Sequence, residues 1–311
     1  MTSGLFVDVR SALAGTVRRP AGVIVCVEGT AYPGAPGPPS MILNDGTGFW
    51  SGFSSGLVGG VCNAQDGLFD SYLVPYSAPT LPMWPGVQQA REEVVAFLQS
   101  YIPAYVAQWG EQPAVILTGY SQGSMATDQV YTEDYLSESG RLNPYLSGLY
   151  RSYQFGHVFR TPGIAWGNAL IGDPQSIQVG GVECGGIGGP LDLTVAQTNR
   201  PAPDGKPTVY SCANKGDIYS ACETGLNPWT KLAAEGAVAD LFYKIVMQPT
   251  FADVVEVAEV IGHPIAGIIE LFRVMIFFAA GPNAPHYLYF PQMVGCINDC
   301  YQLGLSLPHW V

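Results

Sequence analysis

Short apolar runs recur along the first two thirds of the chain. Residues 23–27 read Val-Ile-Val-Cys-Val, a β-branched run with the length of a buried strand. Residues 114–118 read Ala-Val-Ile-Leu-Thr, and such an uninterrupted apolar run is typical of a parallel strand covered on both faces. Shorter runs of strand-like composition occupy residues 72–76, 150–155 and 208–212. The pattern predicts a sheet with a buried, mostly parallel centre.

Helical periodicity lies between these predicted strands. From Pro85 to Trp109 the apolar positions recur at spacings of three, four or seven residues. This spacing predicts an amphipathic helix, with Pro103 as the point where it could kink. Residues 124–137 are also compatible with a helix and closely follow the run at 114–118. Strands that alternate with helices predict the α/β class, with helices on both faces of the sheet.

The pattern changes in the last third of the chain. Residues 228–280 are almost continuously apolar and helix-compatible. We therefore predict one core with an addition. Residues 1–225 form the first part of the core, residues 226–280 form a helical insertion, and residues 281–311 return to the sheet. Residues 31–67 are rich in glycine, proline and serine, and we interpret them as a long irregular connection within the core.

Composition adds size and charge to this picture. The chain has 311 residues, of which 48% are apolar and 12% charged, so it can form a large core and is not disordered for most of its length. Its 25 acidic and 13 basic residues give a net charge of −12, which repels phosphate backbones. We therefore expect no nucleic-acid partner.

The sequence contains no recognisable secretion signal or membrane-spanning segment. Residues 1–22 lack a basic segment followed by a continuous apolar one. The most apolar late segment is interrupted by Glu270 and Arg273 and stops at Gly281, well short of the roughly 20 apolar residues that a spanning helix needs. We expect a soluble protein with no stable membrane insertion.

The seven cysteines are an odd number, so at least one thiol remains if the others pair. Cys296 and Cys300 are four positions apart and are candidate metal ligands. However, no second pair of cysteines or histidines has the spacing of zinc ligands. We therefore expect buried or locally bridged sulfur atoms, and neither a metal nor a cofactor.

The segment Gly119-Tyr-Ser-Gln-Gly123 carries the first candidate chemistry. Glycines at both ends of this pattern let a strand turn sharply into a helix, so that the serine stands exposed on the turn. An ordinary glycine-rich turn is the alternative. The apolar strand before the segment and the predicted helix after it favour a nucleophile elbow. Ser121 is therefore the candidate nucleophile.

A serine hydroxyl needs a histidine that takes its proton. All four histidines lie after Ser121, so their order cannot choose among them. His157 leaves little chain for an acid-bearing strand, His263 lies inside the predicted insertion, and His309 is close to the end, where chains commonly fray. His286 lies where the insertion gives way to Tyr-Leu-Tyr-Phe and is the best placed candidate base.

The histidine in turn needs a carboxylate that fixes its tautomer. Asp217 follows the predicted strand at 208–212 and is the candidate acid, and Asp173 is its main competitor. Cys212 and Cys222 flank the Asp217 loop. Such spacing could clamp the loop by a disulfide, and two buried thiols are an equally good interpretation.

Acyl transfer also requires N–H donors for the developing oxyanion. One comes from the residue after the nucleophile, and the other from a loop after an early strand. These positions indicate Gln122 and Thr30. An ordinary β-turn is the alternative for the segment that contains Thr30.

Several motifs together resemble the lysin B family, the mycolylarabinogalactan esterases of mycobacteriophages, which are relatives of cutinases. The resemblance extends from about residue 23 to residue 290. The motifs occur in the family's order and at comparable spacing: Glu28-Gly-Thr30, Leu81-Pro-Met-Trp-Pro85, Gly119-Tyr-Ser-Gln-Gly123, Phe155-Gly-His-Val-Phe-Arg160, Lys215-Gly-Asp-Ile-Tyr219 and Pro285-His-Tyr287.

The resemblance implies an α/β-hydrolase fold with a helical insertion before the catalytic histidine. It also implies a metal-free serine esterase that cuts the ester between mycolic acid and arabinogalactan during host lysis. By matching motif, Ser121 is the nucleophile, Asp217 the acid and His286 the base. Such a protein stays in the host cytoplasm until lysis and then acts on the cell envelope. Its partner is a mycolyl ester or lipid substrate, and no protein partner is expected.

The chain departs from the family's pattern at two places. It has Glu28-Gly-Thr-Ala31 where the family often has His-Gly-Thr-Gly, and Gly156-His-Val158 where the family has Gly-Asn-Pro. The cysteine-flanked Asp217 loop resembles cutinases more closely, so a general lipid esterase or lipase is the nearest alternative. A non-catalytic virion binding protein on a hydrolase fold is a second alternative, since a fold does not fix a function.

Overall fold

The centre of the protein is a five-stranded parallel sheet. The computed structural model describes residues 19–29, 61, 64–65, 67–77, 83–173, 178–179, 182–188, 193–217, 219–223 and 285–308. Its strands are β1 (Gly22–Val27), β2 (Asp70–Leu73), β3 (Ala114–Tyr120), β4 (Leu149–Phe155) and β7 (Val209–Cys212). They lie in the order β2-β1-β3-β4-β7. The predicted mostly parallel sheet is therefore confirmed.

The two central strands, β1 and β3, are buried along their whole length. Their register runs from Gly22 opposite Ala114 to Val27 opposite Gly119. Alternate side chains point to opposite faces of a sheet, so a continuous apolar run supplies both faces with core residues. On β1, the side chains of Val23, Val25 and Val27 belong to the core cluster on one face. Those of Ile24 and Cys26 belong to the cluster on the other face.

One face of the sheet is covered by two helices, α1 (Trp84–Trp109) and α2 (Gln122–Gln129). Helix α1 continues through Pro103 and ends at Gly110, whose φ of 77° is a conformation that glycine adopts at low cost. A π-helical segment, Val130–Leu136, directly follows α2. The helix predicted at 124–137 is therefore present, but with a change of hydrogen-bond pattern halfway.

The other face is covered mainly by α5 (Phe290–Ser306), with the short helix α3 (Trp166–Ala169) beside it. A 3₁₀ turn, Pro285–Tyr287, comes shortly before α5. The end of the chain thus returns to the sheet as a helix packed against its face. The buried residues of α5 include Met293, Cys296, Cys300 and Leu303.

A small antiparallel sheet lies beside this core. It contains β5 (Gln178–Val179), β6 (Val182–Gly185) and β8 (Cys222–Glu223) in that order. Helix α4 (Val195–Thr198) begins with a capping box, in which Thr194 and Gln197 satisfy each other's backbone N–H groups.

The predicted helical insertion at 226–280 lies outside the described residues, as does most of the irregular connection at 31–67. In the ranges given above, none of the helices is both long enough and apolar enough to cross a membrane.

A buried ion cluster ties α5 to the sheet. Arg151 on β4 is fully buried, and its Nε donates to Asp299 Oδ2 on α5 at 2.8 Å. Tyr153 donates to the same oxygen at 2.8 Å, and Lys206 Nζ lies 2.8 Å from Asp299 Oδ1. Asp204 binds the other side of the Arg151 guanidinium. Burial by itself raises the pKa of Asp299, but these donors outweigh it and lower that pKa, so the carboxylate stays ionised.

We expect Asp299→Ala to destabilise the fold by about 3–5 kcal/mol, because it leaves Arg151 buried with part of its charge uncompensated. Urea unfolding followed by circular dichroism measures the loss. Glu111→Gln is the control, since it breaks the ion pair of Arg19 with a largely exposed carboxylate and should cost at most about 1 kcal/mol. Equal losses in the two variants would contradict a structural role for the buried cluster.

Candidate active site

Ser121 occupies the turn between β3 and α2. Its φ of 52° and ψ of −118° make it the only non-glycine residue with a positive φ among the residues that the structure describes. Such a conformation costs about 1–3 kcal/mol and persists only where the surroundings enforce it. The Ser121 N–H donates to Phe155 O at 2.9 Å, and its carbonyl accepts from Ser124 N and Oγ. The predicted sharp turn is therefore confirmed.

Two glycines make this turn possible by letting backbones approach closely. A Cβ on Gly123 would lie 2.0 Å from Val27 O, and one on Gly119 would lie 2.7 Å from Ser124 Cα. The turn after β1 also comes close, because a Cβ on Gly29 would lie 3.1 Å from Ser121 Cβ. The glycines of the Gly-x-Ser-x-Gly pattern thus have the steric role that the sequence predicts.

Asp217 and His286 meet although 69 residues separate them. Asp217 lies in the loop after β7, and His286 lies in the 3₁₀ turn before α5. His286 Nδ1 is 2.9 Å from Asp217 Oδ2, and both side chains are buried. This contact places the proton on Nδ1 and makes Nε2 the basic nitrogen of the ring.

The Asp217 carboxylate accepts four hydrogen bonds. Oδ1 accepts from Tyr219 N at 2.9 Å, and Oδ2 accepts from His286, from Ser220 Oγ at 2.8 Å and from Tyr289 OH at 2.5 Å. Burial alone raises the pKa of Asp217, but His286 and the hydrogen-bond donors outweigh it and lower that pKa. Asp217 is therefore a buried carboxylate held in its charged form.

The His286 ring lies at the same end of the sheet as Ser121. It stacks on Tyr120, the residue before Ser121, with the ring centroids 5.2 Å apart. Tyr120 OH also donates to His286 O at 3.0 Å, and the Tyr219 ring covers the imidazole at 4.5 Å. Gly156 at the end of β4 has a φ of 60°, and a Cβ there would lie 2.6 Å from His286 Cε1. The imidazole therefore rests on the carboxyl end of the sheet, against Tyr120 and Gly156 and hydrogen-bonded to Asp217.

Gln122 and Thr30 were the predicted oxyanion donors. Gln122 is the first residue of α2, so its N–H belongs to the turn where helical N–H groups lack partners within the helix. Its buried side chain donates to Met83 O at 2.8 Å and so joins the starts of α2 and α1. Thr30 lies outside the described residues, although Glu28 before it is buried and its carbonyl accepts a hydrogen bond from Tyr76. Both oxyanion roles stay predictions.

The competing candidates occupy other places. His157 is fully buried, with Nδ1 3.2 Å from Ser211 Oγ and Nε2 3.7 Å from Asp128 Oδ1. Burial is the main cause that lowers the pKa of His157 and raises that of Asp128, which favours the neutral forms of both. Asp173 is exposed. His263 and His309 lie outside the described residues.

The cysteines resolve one open alternative. Cys212 is a free buried thiol whose Sγ lies 3.9 Å from Cys296 Sγ, so a Cys212–Cys222 disulfide does not clamp the Asp217 loop. Cys296 and Cys300 are also free and buried thiols, whereas Cys26 is disulfide-bonded. In the part of the chain that the structure describes, no group of three or more His, Cys, Asp or Glu side chains is arranged to hold a metal ion.

Sequence reasoning missed three residues that shape this site, namely Gly156, Ser220 and Tyr289. Ser220 and Tyr289 each follow a selected residue by three positions, Asp217 and His286 respectively. Residues three apart lie on one side of a tight helical turn, so this spacing was a usable signal. Gly156 had no such signal, because its role depends on a ring that arrives from far along the chain.

Comparison with known proteins supports the fold. No family model and no curated protein sequence matches the chain. Its structure resembles lysin B from Mycobacteriophage D29, with a TM-score of 0.62 and 18% identity, covering 91% of this chain and 100% of that one. Two structures are more distant. A cutinase-like protein from Cryptococcus sp. has a TM-score of 0.39 and 16% identity, covering 72% of this chain and 91% of that one. An acetylxylan esterase has a TM-score of 0.39 and 18% identity, covering 71% of this chain and 94% of that one. The chain has the α/β-hydrolase fold that the sequence predicts.

We expect Gly156→Ala to displace the His286 ring and break its hydrogen bond to Asp217, because the added methyl occupies the space of Cε1. Proton NMR measures this as loss of the low-field Nδ1–H signal, which His286→Ala assigns. Gly205→Ala is the matched control, since Gly205 has a φ of 77° with open space around it. Both variants should lose about 1–2 kcal/mol of stability from the backbone conformation. An unchanged signal in Gly156→Ala would contradict the described packing.

Proposed function

We propose that the protein is a serine esterase with Ser121 as nucleophile, His286 as general base and Asp217 as the acid that orients the base. The hydrogen bond between buried Asp217 and His286, at the end of the sheet that carries the strained Ser121 turn, supports this proposal most directly. The three side chains come in the order Ser, Asp, His along the chain, which is the order of α/β-hydrolases.

Acylation begins when Ser121 Oγ attacks the ester carbonyl and His286 Nε2 takes its proton. Asp217 stabilises the imidazolium that forms, and it can do so because it is already ionised and fixed by its other donors. The backbone N–H groups of Gln122 and Thr30 hold the oxyanion of the tetrahedral intermediate. His286 then returns the proton to the leaving alcohol, and the acyl group remains on Ser121.

Deacylation repeats the sequence with water in place of the alcohol. His286 takes a proton from water as the oxygen attacks the acyl carbonyl, and then gives it to Ser121 Oγ as the acid leaves. The scheme needs neither a metal nor a cofactor.

The substrate that we propose is the ester between mycolic acid and arabinogalactan, cut after the protein leaves the host cytoplasm at lysis. Support comes from the motif blocks of the sequence and from the structural likeness to lysin B. A general lipid esterase remains the alternative. The feature that favoured it was the cysteine-flanked Asp217 loop. That feature loses weight because Cys212 is a free thiol and does not clamp the loop by a disulfide.

Substitution of the three proposed residues tests the reaction class. With p-nitrophenyl butyrate as substrate, we expect Ser121→Ala and His286→Ala to lower kcat at least about 10³-fold and Asp217→Asn about 10²- to 10⁴-fold. A fluorophosphonate probe should label the unsubstituted protein but not Ser121→Ala. His157→Gln is the control, since it changes the other buried His–Asp contact and should retain most of kcat. Full activity in Ser121→Ala would overturn the assignment.

A second assay separates the proposed substrate from the alternative. We expect the protein to release free mycolates from purified mycobacterial cell wall, as measured by thin-layer chromatography and mass spectrometry, and Ser121→Ala to release none. Hydrolysis of p-nitrophenyl butyrate without mycolate release would instead favour a general lipid esterase. A folded protein that neither turns over these esters nor reacts with the probe would favour a binding module.

A further inference from the structure

Tyr289 places a phenol directly against the acid of the proposed triad. The residue lies between the 3₁₀ turn of His286 and the start of α5, and its side chain is fully buried. Its oxygen is 2.5 Å from Asp217 Oδ2 and 2.8 Å from Ser220 Oγ, and it accepts from Asn214 N at 3.3 Å. The phenol therefore lies against the loop that carries Asn214, Asp217 and Ser220.

The number of hydroxyl protons around Asp217 determines which group accepts the hydrogen bond of the Tyr289 phenol. Asp217 Oδ2, Ser220 Oγ and Tyr289 Oη lie within hydrogen-bond distance of one another, but the two hydroxyls carry only one proton each. The contact of Tyr289 with Asp217 is the shortest of the three, so the phenol proton lies there. Ser220 donates its proton to the same carboxylate oxygen at 2.8 Å. Both hydroxyls are therefore donors to Asp217.

Tyr289 and His286 share one acceptor atom. Both donate to Asp217 Oδ2, whereas Oδ1 accepts from the Tyr219 backbone. A hydrogen bond to a carboxylate stabilises its charge and makes it a weaker partner for a second proton donor. The phenol therefore limits how strongly Asp217 can attract the proton of the imidazolium.

Hydrogen bonds of Asn214 hold the Asp217 loop and the His286 segment in position relative to each other. Asn214 Nδ2 donates to Pro285 O at 2.8 Å, and Gln292 Nε2 donates to Asn214 Oδ1 at 2.8 Å. With the bond from Asn214 N to the phenol, three hydrogen bonds join Asn214 to the segment around His286. Tyr289 extends this set of hydrogen bonds to the Asp217 carboxylate, because its hydroxyl accepts from Asn214 N and donates to Asp217 Oδ2.

We propose that Tyr289 is a positioning residue whose hydroxyl fixes the Asp217 carboxylate and sets the strength of the Asp217–His286 pair. This inference rests on the proposed function, because it concerns the base of that reaction. Among the residues that the structure describes, Tyr120 from β3, Tyr219 from the Asp217 loop and Tyr289 itself are titratable groups that contact the pair. Burial, reinforced by the charge of Asp217, raises the pKa of Tyr289 well above its ordinary value, so the phenol keeps its proton throughout the working range.

The test compares Tyr289→Phe with Tyr153→Phe. Each removes a buried phenol that donates to a buried carboxylate, Asp217 in one case and Asp299 in the other. In Tyr289→Phe the carboxylate binds the imidazolium more strongly, so protonation of His286 should begin at higher pH. The midpoint of the acid limb of the pH profile of kcat/KM for p-nitrophenyl butyrate should therefore rise by about 0.5 pH unit. Ser220→Ala should move it in the same direction by a smaller amount. Tyr153→Phe should leave the profile unchanged.

A second readout does not depend on activity. NMR titration of the four histidines, with His286→Ala for assignment, should show the His286 midpoint at higher pH in Tyr289→Phe than in the unsubstituted protein. An unchanged midpoint in Tyr289→Phe would overturn the proposal and leave Tyr289 a packing residue. If Tyr289→Phe does not fold, Ser220→Ala takes its place, since Ser220 contacts both the phenol and the carboxylate oxygen, and an unchanged midpoint there would overturn the proposal. If the protein shows no esterase activity but the His286 midpoint still shifts in Tyr289→Phe, the proposed function is refuted. The effect of Tyr289 on the Asp217–His286 pair is then still supported.

Discussion

The site depends on keeping a carboxylate charged where water does not reach it. An isolated buried carboxylate would take up a proton, because desolvation disfavours the charge. Asp217 remains ionised since four donors surround it, two from its own loop and two from the segment before α5. The loop that carries Asp217 and the segment that carries His286 therefore require each other. Separating them would leave a buried charge without enough partners, so the fold holds His286 against Asp217 at the same time as it holds α5 against the sheet.

The parallel sheet explains why these groups converge. The carboxyl ends of parallel strands lie at one edge, and Ser121, Gly156 and Asp217 follow three neighbouring strands there. Absence of a side chain at Gly156 leaves the space that the His286 ring fills. Gly156, directly after the middle of these three strands, thus makes room for the contact between His286 and Asp217.

The sequence predicted the parts of this arrangement that have local signals. Continuous apolar runs identified β1 and β3, and the glycines around Ser121 identified the turn, because steric demands there act within a few residues. The choice of Asp217 and His286 also came from position along the chain, and the structure brings this pair together. The role of Gly156 could not be predicted, because it depends on the His286 ring from the turn before α5. The sequence left the state of Cys212 open, and its free thiol packs against Cys296 of α5. The insertion at 226–280 and the role of Thr30 stay predictions.

Two features of the site cost stability and contribute nothing to the core. Ser121 holds a backbone conformation that non-glycine residues avoid, and Asp217 keeps a charge in a buried position. A binding module on the same fold would be more stable with glycine at the turn and an apolar group in place of the acid. Strain and buried charge together are instead what a reaction requires, since a nucleophile must be held in position and an imidazolium must be stabilised as it forms. This combination favours catalysis over binding alone.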